Sequence, residues 1–124
     1  MKQTRKRRIL IVDDSEMNRE ILTGILEDEY DIVEAEDGKK AIAIMEEGLY
    51  SFSIVLLDIT MPELDGFGVL QVMQQRNWLK ELPVIIISAE TSNECIGHAY
   101  EMGVSDYFSR PFDARIVNTR VRNT

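Results

Sequence analysis

The sequence predicts an α/β fold with a doubly wound, five-stranded parallel sheet and helices on both faces. Three observations carry the prediction. Five short runs, most of them rich in Ile, Val or Leu, alternate with segments whose apolar residues recur at helical spacing. Two of those runs, Ile9-Leu10-Ile11-Val12 and Ile54-Val55-Leu56-Leu57, are apolar at every position, as strands covered on both faces are. Both end in acids, Asp13-Asp14 and Asp58. A buried strand does not end in acids without a reason, because an unpaired buried carboxylate is costly.

The elements follow in order. The first strand is expected over Arg8–Val12. The first helix is capped by Ser15 and places Met17, Ile21 and Ile25, with Leu22 and Leu26, at helical spacing. The second strand is expected over Tyr30–Ala35, and the second helix opens after Asp37-Gly38 with Ile42, Met45 and Leu49 on one stripe. The third strand is expected over Phe52–Leu57. The third helix starts after Asp65-Gly66 and faces inward through Phe67, Leu70 and Met73 or through Val69, Val72 and Met73. Trp78 follows it and is expected to pack there. The fourth strand is Val84–Ser88. The fourth helix, Asn93–Met102, contains Gly97 and stops at Gly103. The fifth strand is Asp106–Ser109, and the fifth helix begins at Asp113 and runs toward Thr124 with Ile116, Val117 and Val121 apolar.

Alternating strands and helices of this length imply right-handed crossovers and a parallel sheet in the flavodoxin-like order 2-1-3-4-5. Strands one and three are then neighbours, and Asp13, Asp14 and Asp58 meet at the carboxyl edge, where open α/β sheets place their ligands. Three converging acids repel one another unless a divalent cation sits among them. An all-oxygen carboxylate set suits Mg²⁺. Strand four ends in Ser88-Ala89 and strand five leads to Arg110-Pro111-Phe112, so a hydroxyl and a guanidinium reach the same edge. Both can bind phosphoryl oxygens. This inventory suits phosphoryl transfer, which is mostly positioning and charge neutralisation, with Asp58 as the nucleophile.

Bulk properties narrow the function classes. At 124 residues and 44% apolar content the chain is read as one domain over residues 1–124. A net charge of −8 argues against autonomous nucleic-acid binding. The basic residues Lys2, Arg5, Lys6, Arg7 and Arg8 form a short, unrepeated run, read as a solvated lead-in to the first strand rather than a nucleic-acid or membrane arm. Only four apolar residues follow before Asp13, too few for a signal peptide, and no run approaches the roughly 18 residues of a membrane span. A lone Cys95 excludes an internal disulfide and fits a reducing compartment, so the cytoplasm is the expected location. His98 is read as a surface residue.

The residues at the strand ends resemble those of bacterial two-component response regulator receiver domains. The resemblance covers essentially the whole chain. It rests on Asp13-Asp14-Ser15, on Leu57-Asp58-Ile59-Thr60-Met61-Pro62-Glu63-Leu64-Asp65-Gly66, on Ser88-Ala89, and on Tyr107 with Arg110-Pro111-Phe112. It implies that Asp58 accepts a phosphoryl group from phosphohistidine on a sensor histidine kinase or phosphotransfer protein. It implies that Asp14, Asp58 and the Thr60 backbone carbonyl ligate Mg²⁺, with Asp13 acting mainly through a bound water. Ser88 is implied to hydrogen-bond the phosphoryl group, and Tyr107 to swing into the space that Ser88 leaves. That movement remodels the face made by the fourth helix, fifth strand and fifth helix, a surface for a phosphorylation-favoured homodimer or another partner. Such a domain is regulatory rather than an enzyme, promoting only its own phosphorylation and dephosphorylation. The last helix has no stop signal before Thr124, so an output domain beyond residue 124 is an expectation.

One position departs from the family pattern: Arg110 stands where lysine is usual. Arginine keeps the charge, but its planar fork is bulkier and prefers bidentate geometry. Slower phosphorylation, a weakly coupled switch and simple substitution are all open. Ser88 for the commoner threonine keeps the hydroxyl. For Tyr107, plain packing at the sheet edge competes with the switch. The alternative function is a non-phosphorylated, receiver-like interaction module. A phosphohydrolase resembling haloacid-dehalogenase-like enzymes is disfavoured because Thr60 occupies the place of their second acid. A nucleotide-binding fold is disfavoured because no Gly-rich loop follows strand one.

Overall fold

The computed structural model describes residues 7–90, 92–110 and 112–124. The sequence readings at Lys2, Arg5, Lys6 and Pro111 lie outside the described residues. Five strands form one parallel sheet: β1 (Arg7–Val12), β2 (Tyr30–Ala35), β3 (Ile54–Asp58), β4 (Val84–Ser88) and β5 (Asp106–Ser109). Their order is β2-β1-β3-β4-β5, as predicted. Five helices connect and follow them: α1 (Glu16–Leu26), α2 (Gly38–Gly48), α3 (Gly66–Gln75), α4 (Asn93–Glu101) and α5 (Ala114–Asn123). Short 3-10 turns lie at Leu49–Ser51 and Trp78–Lys80.

Side-chain alternation along the strands builds two cores, one on each face of the sheet. Leu10, Val12, Val55, Leu57, Val84 and Ile86 point to the face covered by α2, α3 and α4 through Met45, Leu70, Met73 and Ala99. Ile9, Ile11, Ile54, Leu56, Ile85 and Ile87 point to the face covered by α1 and α5 through Leu22, Leu26, Val117 and Val121. Strands β3 and β4 are buried at every position, which is why their sequences are continuous apolar runs.

Each helix starts on a side-chain cap that satisfies an orphan N–H. Ser15 accepts from Asn18 N–H at the start of α1, and Asp37 from Lys40 at α2. Asp65 accepts from Gly68 at α3, Ser92 from Cys95 at α4, and Asp113 from Arg115 and Ile116 at α5. Gly103, at φ +105°, takes the left-handed conformation that ends α4.

Three expectations are corrected in detail. The third strand starts at Ile54 rather than Phe52, because the 3-10 turn Leu49–Ser51 delivers the chain to the ladder two residues later. On α1, Met17 and Ile21 are 70% and 44% exposed, and burial falls on Leu22 and Leu26. The face beneath α1 is shared with α5, so α1 presents only a narrow stripe to the sheet. On α3 the buried set mixes the two predicted stripes, as Val69, Leu70 and Met73. Phe67 is half-buried and packs its ring against His98 at 4.7 Å. Trp78 packs as expected, in the turn after α3, beneath the Arg76 guanidinium at 5.0 Å.

Candidate functional site

The topology brings the predicted acids together. β1 lies between β2 and β3, with Val12 in register with Leu57, so Asp13 and Asp58 leave neighbouring strands at the same edge. Ligand oxygens of Asp13, Asp14 and Asp58 all lie within 4.8 Å of one another. Asp13 and Asp58 are buried, while Asp14 is exposed. Asp58 pairs with Ile87 of β4, which puts Ser88 one position beyond it at the same edge. The Arg110 N–H donates to the Ser88 carbonyl at 3.0 Å, continuing the β4–β5 ladder and holding Arg110 at the mouth of the cluster.

Backbone geometry fixes the loop after Asp58. Gly66 N–H donates to the Ile59 carbonyl at 2.8 Å, drawing the start of α3 against the end of β3. A Cβ on Gly66 would stand 2.4 Å from the Asp58 carbonyl oxygen, so only glycine permits this approach. Between them Glu63 sits at φ 65°, a left-handed conformation that a non-glycine residue rarely holds.

The carboxylates are individually constrained. Asp13 Oδ1 accepts from Ser15 N–H at 2.9 Å, and its Oδ2 accepts from Arg110 Nη2 at 2.7 Å. The same Nη2 lies 3.2 Å from Asp58 Oδ2. Asp58 Oδ1 receives a long contact of 3.4 Å from Thr60 N–H. Burial pushes the Asp58 carboxyl up to about 6, with the neighbouring Asp13 charge adding to the rise and Arg110 opposing it. Asp13 is raised too, chiefly by burial, against the Ser15 N–H and Arg110. One guanidinium therefore only partly offsets two buried acids and their exposed neighbour. The donor set fits a hard divalent cation: all oxygen, negative in excess, with one carboxylate open to water.

Ser88 and Tyr107 are linked. Ser88 is buried, and its Oγ accepts from Glu90 N–H at 3.0 Å. Tyr107 meets Ser88 through the backbone of Glu90: its hydroxyl donates to the Glu90 carbonyl at 2.7 Å, on the residue whose N–H Ser88 accepts. Cys95 Sγ is 3.8 Å from that hydroxyl. Burial, and next the Cys95 contact, push the phenol up to about 12. The resemblance implied a ring that moves inward; here it already lies in the core, at 8% exposure.

Two participants escaped the sequence reading. Asn18 stands near the start of α1, beside the acid cluster. In the amide orientation that satisfies its neighbours, its oxygen accepts from both Nη1 and Nη2 of Arg110 at 3.2 Å. Glu90 acts through its backbone, which leaves no side-chain signature. Arg8, from the basic run, is occupied structurally: its guanidinium lies 4.7 Å from the Phe52 ring centroid and donates to Ser51 Oγ.

Comparison with known proteins agrees with this geometry. Residues 9–122 match the response regulator receiver domain family. The transcriptional regulatory protein ResD of Bacillus subtilis is 37% identical over 123 residues, covering 98% of this chain and 49% of ResD. The chemotaxis protein CheY of Pseudomonas aeruginosa is 32% identical over 116 residues, covering 92% of each chain. Several curated relatives, ResD among them, are about twice as long as the region matched. Among solved structures, a CheX–CheY–BeF3–Mg²⁺ complex from Borrelia burgdorferi superposes with a TM-score of 0.86 at 32% identity, covering 94% of this chain and 87% of that one.

Proposed function

The chain belongs to the response regulator receiver domain family, and from that premise we propose that it is a Mg²⁺-dependent phosphoacceptor switch with Asp58 as the acceptor. The observation that carries the reading is the convergence of Asp13, Asp14 and Asp58 at one sheet edge, with Ser88 and Arg110 at the adjoining strand ends. An Asp58 carboxylate oxygen forms a bond to the phosphorus of a phosphohistidine. The P–N bond breaks, and the departing imidazole keeps the electron pair and takes a proton from solvent. Asp14, Asp58 and the Thr60 carbonyl would hold Mg²⁺, with Asp13 beside them. Bound there, the metal supplies positive charge that neutralises the phosphoryl oxygens. Ser88 offers a hydroxyl to one of those oxygens and Arg110 a guanidinium to another.

The donor is proposed to be a sensor histidine kinase or phosphotransfer protein, and the setting the cytoplasm. Among the described residues no helix is long and apolar enough to cross a membrane. The domain is regulatory, and its output runs through α4, β5 and α5 to a second copy or to an attached output domain. Tyr107 supports that route, because the Glu90 backbone joins it to Ser88 at the site and its hydroxyl also lies 3.8 Å from Cys95 Sγ on α4. Incubation with Mg²⁺ and a small phosphodonor should add the mass of one phosphoryl group, and Asp58→Asn should add none. A wild-type chain left unmodified by both a small donor and a cognate kinase overturns the reading.

A second reading has two specific observations behind it. Tyr107 is already buried and Arg110 already bridges Asp13 and Asp58. A constitutive interaction module would hold this arrangement permanently, and a phosphoryl mimic would leave α4 and α5 unchanged.

A further inference from the structure

We propose that Arg110, held in place by Asn18, is a tethered counter-cation of the acid cluster, and that a divalent metal binds only by driving the guanidinium off Asp13 and Asp58. The inference rests on the metal site of the proposed function and concerns how this chain tunes it.

A single nitrogen, Nη2, contacts both buried carboxylates, at 2.7 Å from Asp13 Oδ2 and 3.2 Å from Asp58 Oδ2. It faces oxygens of the same cluster that a metal would need. A dication bound there would meet a guanidinium within a few ångströms, so the two charges compete for the same oxygens. The fork is not free to swing aside as a lysine ammonium would be. Asn18 chelates both of its terminal nitrogens at 3.2 Å, and the Arg110 backbone is tied to the Ser88 carbonyl.

A second observation shows that this pose is not the guanidinium's best. Arg110 Nε is buried without a hydrogen-bond partner. A buried orphan donor is costly, and lysine has no equivalent atom. The latch therefore holds Nη2 well and Nε badly, which suits a group that lets go when a stronger cation arrives. Asn18 is a positioning residue here, since it acts on the metal site through Arg110.

Isothermal titration with Mg²⁺ alone tests this on the unphosphorylated chain, with no phosphodonor present. Arg110→Ala should bind Mg²⁺ about tenfold more tightly, because a like charge next to the site is gone. Asn18→Ala keeps the charge but frees the fork, and should tighten binding about threefold. On the Arg110→Ala background, Asn18→Ala should add nothing, since its effect runs through Arg110. Without metal, Arg110→Ala should melt lower than wild type, and added Mg²⁺ should raise its melting temperature more. If Arg110→Ala does not fold, Arg110→Lys replaces it and should tighten binding at least as much as Asn18→Ala, since its ammonium escapes the Asn18 hold. Folded variants that bind Mg²⁺ no more tightly than wild type overturn the latch, as does tightening by Arg110→Ala with Asn18→Ala unchanged. If wild type still takes up phosphate in those cases, the proposed function stands without the latch. Absence of Mg²⁺ binding in every variant overturns both.

Discussion

The two edges of the sheet handle charge in opposite ways. At the amino edge, cations lie on aromatic faces near solvent. Arg8 covers Phe52 and bonds Ser51, while Arg76 covers Trp78 and pairs with Glu46 at 3.1 Å. Each charge there has a partner and remains at least partly hydrated. At the carboxyl edge, Asp13 and Asp58 are buried side by side, share one guanidinium nitrogen, and hold their carboxyls above the ordinary range. The amino edge is arranged for stability, whereas the carboxyl edge sets two buried acids and an exposed third against one guanidinium. Perturbed carboxylates concentrated at one end of the strands are the physical mark of a functional site.

That contrast can be broken from either side. The largest effect is expected from Gly66→Ala, whose Cβ would press on the Asp58 carbonyl at 2.4 Å. Urea denaturation should show a loss of about 3 kcal/mol, and phosphoryl uptake should fall with the displaced loop. Next comes Asp58→Asn, which should stabilise the metal-free chain at neutral pH by on the order of 2 kcal/mol. The sign follows from a folded carboxyl near 6 against an ordinary value of 3.8. Stability from this group is fully present below about 3.8 and is lost as pH rises through about 6. Thermal melts of the two proteins should therefore converge toward pH 4 and separate toward pH 7.5, with Mg²⁺ closing the gap. At the amino edge, Arg8→Ala should cost about 1 kcal/mol, from its ring contact and its bond to Ser51. Arg76→Ala should cost about 0.5 kcal/mol, since its ion pair is exposed. Neither substitution should change Mg²⁺ affinity in a calorimetric titration, and a change would blur the distinction between the edges.

Much of this was legible in the chain. The apolar runs at Ile9–Val12 and Ile54–Leu57 could only be strands covered on both faces, and the acids after them could only meet if those strands were neighbours. Local signals also set the starts of the helices, because Ser15, Asp37, Asp65 and Asp113 cap them in the structure. What periodicity could not settle was which of two adjacent stripes is buried. Met17 and Ile21 fit the pattern of α1 as well as Leu22 and Leu26 do, and the position of α5 decides between them. At the site, the acids, Ser88 and Arg110 were visible as chemistry at strand ends. Asn18 and Glu90 were not, because one acts on Arg110 across elements and the other through its backbone. The state of Tyr107 was equally out of reach, since a rotamer depends on the packing around Cys95 and Glu90 rather than on the residue's identity.

The most direct measurement is an amide NMR titration of the metal-loaded chain with beryllofluoride, read at both edges of the sheet. A phosphoryl mimic held at Asp58 should shift Asp14, Thr60, Ser88 and the amides of α4 and β5, while Arg8, Phe52 and Trp78 stay where they are. Shifts spread equally over both edges, or none at Ser88 and α4, would contradict the assignment of this chain as a switch driven from its acid cluster.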